Sequence, residues 1–110
     1  MTISAGDLAD LMSVCPGARY LEEGGVGFTD LPALRFKAGK EIIQRDALLS
    51  LQAHTGYTSR LYLSEQVPGF GQNWTQHIVF GRRWHTPSWN LVAIDRPIAM
   101  LQNHLRVYQT

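Results

Sequence analysis

Residues 73–92, NWTQHIVFGRRWHTPSWNLV, limit what this chain can fold into more than any other stretch. They gather all three tryptophans (Trp74, Trp84, Trp89), two of the four histidines and the Arg82-Arg83 pair. The first half alternates as a strand does, with Trp74, Gln76, Ile78 and Phe80 on one side and Thr75, His77 and Val79 on the other. Gly81 ends that alternation. From there Gly-Arg-Arg-Trp-His-Thr-Pro-Ser-Trp reads as an irregular loop, because Pro87 restricts both itself and Thr86, and two indole rings can pin such a segment to the body of a domain. A loop of that kind holds polar side chains in place without a helix or strand beneath them. The plainer reading is that the tryptophans are simply core.

A chain of 110 residues, 45% of them apolar, supports one hydrophobic core and hence one domain over residues 1–110. A formal net charge of +1 gives no electrostatic reason to expect nucleic acid or an acidic substrate. The single cysteine, Cys15, excludes an internal disulfide, and no Cys/His set stands at zinc spacing, so the reading is a reducing, cytoplasmic setting with no structural metal or cofactor. No apolar run approaches the roughly 20 residues needed to cross a bilayer, and the N-terminus lacks the basic-then-apolar order of a leader. Membrane association is not expected.

Taken in order, Ser4 and Asp7 form an N-cap arrangement, and Leu8, Leu11, Met12 and Cys15 follow at helical spacing until Pro16-Gly17. Cys15 lies on the apolar stripe, where it reads as a small core side chain. Short extended pieces follow at 19–22, 26–29 and 34–37, separated by Gly24-Gly25 and Leu31-Pro32. Leu48, Leu49 and Leu51 predict a strand over 47–52 covered on both faces and central in the sheet. A turn at 54–57 joins it to a strand at 60–65. After the Trp-rich stretch, Asp95 can cap a second helix with Pro97 in its first turn, and Ile98, Leu101, Leu105 and Tyr108 give that helix an apolar face bordered by His104. The expected fold is α+β: an antiparallel meander of about four strands flanked by an N-terminal and a C-terminal helix.

Familiar catalytic signatures are missing. There is no GxSxG elbow, P-loop or GxGxxG fingerprint, and His54, His77, His85 and His104 show no metal-binding spacing. Ser88 and Thr86 are the hydroxyls that His85 or His77 could serve as a base. Arg82 and Arg83, flanked by aromatic rings, could clamp an anion or meet an acidic partner.

Read together, Leu48-Leu49-Ser50-Leu51, Thr55-Gly56-Tyr57, Arg60-Leu61-Tyr62-Leu63, Gly81-Arg82-Arg83-Trp84 and Ser88 before a last helix resemble the compact bacterial E2-like proteins of the ubiquitin-conjugating superfamily, especially prokaryotic E2 family E. The resemblance covers roughly residues 28–108 and implies a UBC-like fold. It also implies a role in a bacterial ubiquitin-like conjugation pathway, with a ubiquitin-like protein and an E1-like adenylating enzyme as partners. The chain departs from the family pattern in having no Tyr-Pro turn, no His-Pro-Asn motif and no cysteine beyond Cys15 on the first helix.

Two readings follow from the resemblance. In one the chain is a transferase that carries the ubiquitin-like tail as an oxyester on Ser88, with His85 or His77 as base and Arg82 or a loop amide stabilising the oxyanion. In the other it is a non-catalytic adaptor whose Tyr57, Arg60, Arg82, Arg83 and Trp84 form the docking surface, an aromatic anchor ringed by arginine being a common hot-spot composition. A third reading, from a different class, is a small nucleic-acid-binding module that stacks bases on Trp74 and Trp84 beside Arg83.

Overall fold

Ser4 opens the first helix in the way its sequence requires: in the computed structural model its Oγ accepts the Asp7 N–H at 3.1 Å, capping α1 (Ala5–Val14). The structure describes residues 3–51, 59–70, 73–88 and 96–109. Cys15 closes α1, its N–H donating to the Leu11 carbonyl at 2.9 Å and its thiol to the Pro32 carbonyl at 3.3 Å. Burial pushes that thiol up from its ordinary pKa, so it stays protonated and packs as an apolar group.

Six strands follow: β1 (Arg19–Glu23), β2 (Val26–Ala38), β3 (Glu41–Ser50), β4 (Leu61–Leu63), β5 (Trp74–Val79) and β6 (Arg82–Pro87). The chain then forms α2 (Pro97–Leu105) and a 3₁₀ turn (Arg106–Tyr108). The sheet is antiparallel in the order β1-β2-β3-β4-β6-β5. The α+β class is as expected, but among the described residues the strands number six and not about four. The first four strands form the meander, and the last hairpin enters reversed, so β6 lies beside β4 and β5 becomes the outer edge.

Two expectations fail for identifiable reasons. The pieces expected at 26–29 and 34–37 are one strand, β2, because Pro32 sits in a bulge and not in a break. Leu31 faces Ala47 and Leu34 faces Arg45, so three steps along β2 match two along β3. A strand tolerates Pro at such a bulge. The extra residue keeps Leu31 and Leu34 on one face although they are an odd number apart, and both are buried. Ala33 is held there at φ 53 with its N–H donating to Asp46 Oδ1 at 2.8 Å.

The second failure is the irregular loop after Gly81, which is the strand β6. Phe80 and Gly81 both take positive φ, 52° and 70°. A two-residue hairpin turn of this handedness matches the twist of its strands, so the break in alternation marks a tight turn and not the end of pairing. At α2, the residue before the helix is Arg96, which makes no side-chain cap bond, with Pro97 in the first turn. Asp95, Trp89 and the turn at 54–57 lie outside the described residues.

Cross-strand partners share a face, and the register therefore sorts the side chains into two sets. Leu31, Leu34, Phe36, Ala47, Leu49, Leu61 and Leu63 face both helices and form the main core with Leu11, Leu101, Leu105 and Tyr108. Phe28, Leu48, Tyr62, Val79 and Trp84 form a second cluster on the face that carries no helix among the described residues. That cluster is buried because the sheet curls. Phe80 N–H donates to Glu23 Oε2 at 3.0 Å and its ring meets Phe28 at 5.5 Å. In a flat sheet β1 and β6 would stand about 19 Å apart, four strand spacings. The two hairpin tips thus close over Tyr62.

Candidate functional site

The β5–β6 hairpin carries most of the side chains that sequence reasoning selected, and its register separates them. His77 pairs with Trp84, while Gln76 pairs with His85. His77 and Trp84 therefore share the helix-free face with Thr75, Arg82 and Thr86. His85 lies on the other face with Trp74, Gln76, Ile78 and Arg83. The two imidazoles expected as alternative bases are on opposite sides of the sheet.

Each imidazole has its own surroundings. Arg60 Nη1 is 3.3 Å from His77 Nε2, and Thr75 Oγ1 is 3.1 Å from the same nitrogen. A guanidinium only donates, so that nitrogen is the acceptor, and the lone pair a general base needs is already engaged. The Tyr62 ring stands edge-on to His77 with centroids 5.8 Å apart. His85 is half-buried, and its Nδ1 has no hydrogen-bond partner among the described residues. Ser88 is exposed just beyond β6, tied by its backbone N–H to the Asn73 carbonyl at 2.7 Å.

The expected docking residues divide in the same way. Arg60 and Trp84 are each only 3% exposed, so neither presents its side chain on the outside. Burial suits Trp84, whose Nε1–H donates to the Val79 carbonyl at 3.1 Å and whose indole fills the second cluster. Arg82 is exposed but committed: it lies 4.6 Å from the centre of the Trp84 ring and 3.1 Å from Asp46 Oδ2. The Ala33 N–H, and after it Arg82, hold the Asp46 carboxyl below its ordinary pKa. Asp46 thereby ties the β2 bulge to β6. Arg83 is exposed and makes no ion pair among the described residues. Tyr57 lies outside the described residues.

One junction was not legible beforehand. β4 and β6 share a single bridge, Leu63 with His85, and the Thr86 Oγ1–H supplements it by donating to the Leu61 carbonyl at 2.9 Å. Nor did sequence reasoning select Gln76 or Ile78, which line a shallow depression with His77 and Arg83 along β5. Ile78 is 65% exposed. The signal was present in the alternation of 73–80, but its meaning depends on which strand ends at the edge.

Among the described residues no three His, Cys, Asp or Glu side chains are grouped to hold a metal ion, and no helix is long and apolar enough to cross a membrane. Comparison with family models, with curated proteins and with solved structures returns no match.

Proposed function

We propose that this chain works by docking another protein, the adaptor form of the E2-like reading, and carries no transferred tail on a side chain of its own. The observation behind the reading is that the candidate groups are separated or engaged: His77 and His85, the alternative bases, lie on opposite faces of one hairpin, and the Thr86 hydroxyl donates to the Leu61 carbonyl. Burial of the one thiol and engagement of His77 Nε2 by Arg60 point the same way. The partner that the resemblance implies is a ubiquitin-like protein or its adenylating enzyme. Base stacking is disfavoured, because Trp74 and Trp84 face opposite sides of the hairpin and Trp84 is buried, so they make no common platform.

Incubation with ATP, an adenylating enzyme and a ubiquitin-like protein from the same genome tests this. The expected result is a non-covalent complex on size exclusion and no hydroxylamine-sensitive adduct on a denaturing gel. An adduct on the wild type that disappears in Ser88→Ala overturns the reading in favour of an oxyester carrier.

A further inference from the structure

The two edges of the sheet differ in a way that points to a ligand. β1, at one edge, reads Arg-Tyr-Leu-Glu-Glu, and three charges in five residues discourage another strand from pairing there. β5, at the other edge, reads Trp-Thr-Gln-His-Ile-Val, with neither a charged Lys, Arg, Asp or Glu nor a Pro. It lacks the usual protection.

The register also shows which backbone groups point outward. Val79 and Arg82 close the two-residue turn, and Ser88 N–H donates to the Asn73 carbonyl at 2.7 Å. Antiparallel ladders alternate bonded and non-bonded pairs, so residues 75, 77 and 79 turn their N–H and C=O toward β6. Trp74, Gln76 and Ile78 turn theirs away from it. Among the described residues no strand pairs with that side.

Charge identifies what would fit. Residues 73–88 contain Arg82, Arg83 and two histidines but no Asp or Glu. Asp46 answers Arg82, whereas Arg83, cross-strand from Ile78, has no acidic partner among the described residues. Arg83 and Ile78 line the same depression along β5, and a guanidinium there prefers a carboxylate in a bidentate pair.

We propose that β5 is a strand-addition site for an extended acidic segment of another protein. Its backbone would pair with Gln76 and Ile78, an aliphatic side chain would cover Ile78, and a carboxylate on the same face would meet Arg83. This names the partner chemistry for the docking reading and rests on it. A Ser88-dependent adduct would defeat that reading while leaving the outcomes below unchanged.

Peptides of about ten residues selected from a displayed random library on the intact chain supply the probe. The expected winners carry an aliphatic and an acidic residue two positions apart, and so on one face, and on binding they slow amide exchange at Gln76 and Ile78. Gln76→Pro removes only an outward N–H, a substitution that edge strands accept. It should weaken the selected peptides about tenfold, the scale of one lost hydrogen bond, with an unchanged circular dichroism spectrum. Arg83→Glu should weaken them at least as much, and restore binding to versions with Lys in place of the acidic residue. Winners without acidic residues, binding indifferent to Gln76→Pro, no enrichment at all, or pairing of β5 with a second copy detected by sedimentation would each overturn the proposal.

Discussion

At the scale of single residues, Ala33 and His104 hold positions that cost free energy and are retained by their neighbours. Ala33 occupies the left-handed region at φ 53 so that its N–H can reach Asp46. A residue with a Cβ is disfavoured there by about 1–2 kcal/mol, and Gly gives back some of that through the entropy of the unfolded chain. Ala33→Gly is therefore expected to stabilise by roughly 0.5–1 kcal/mol in urea denaturation. His104 is buried on α2 with its Nε2 2.9 Å from Ser59 Oγ; burial, then the Arg60 charge, pushes its pKa from the ordinary 6.5 down to about 4. The unfolded chain thus takes up a proton between those values and the folded one does not. Stability from this group is complete above pH 6.5 and is lost as pH falls toward 4, by on the order of 3 kcal/mol at about 1.4 kcal/mol per unit. His104→Gln should remove that component of the slope in a denaturation series across the window, whereas an unchanged slope would mean that another group sets it.

Among the elements, the β5–β6 hairpin depends on its turn and on one hydroxyl. Gly81 sits at φ 70, where Ala is disfavoured by about 1–2 kcal/mol, so Gly81→Ala should lower stability by that amount and speed amide exchange along β6 first. Thr86→Val keeps the shape of the side chain but leaves the buried Leu61 carbonyl without its hydroxyl donor. The expected cost is about 1–3 kcal/mol, measured by urea denaturation, because a buried group left unsatisfied loses its full hydration. A change below a few tenths of that would show that the single β4–β6 bridge suffices on its own. Exchange measurements on Thr86→Val should find the hairpin loosened relative to β2 and β3, whose long ladder does not involve it.

For the molecule as a whole, the curl of the sheet divides the interior into a helix-covered core and a smaller cluster closed by hairpin tips. Phe28 belongs to the smaller one and touches both Tyr62 and Phe80. Phe28→Ala is expected to cost about 3–5 kcal/mol in urea denaturation, as for a fully buried aromatic ring. It should also quicken exchange of the Phe80 amide, which is held against Glu23 only while the tips meet. An exchange rate at Phe80 that stays unchanged would place the closure on the Glu23 contact alone.

Local chemistry made much of this molecule readable in advance. The Ser4 cap, the apolar stripe through Leu11 and Cys15, the central strand with Leu48 and Leu49, and the strand of alternating residues from Trp74 all depend on neighbours within a few positions, and those neighbours were in the sequence. Other features depend on residues far apart in the chain. That Pro32 bends a single continuous strand follows from its pairing with β3; that Trp84 is inside follows from the curl bringing residue 80 to residue 23; that β5 is an edge among the described strands follows from the last hairpin entering in reverse beside β4. Periodicity tells each side chain which neighbours it shares a face with, but only the three-dimensional pairing of strands decides whether that face meets a core, a second strand or open water.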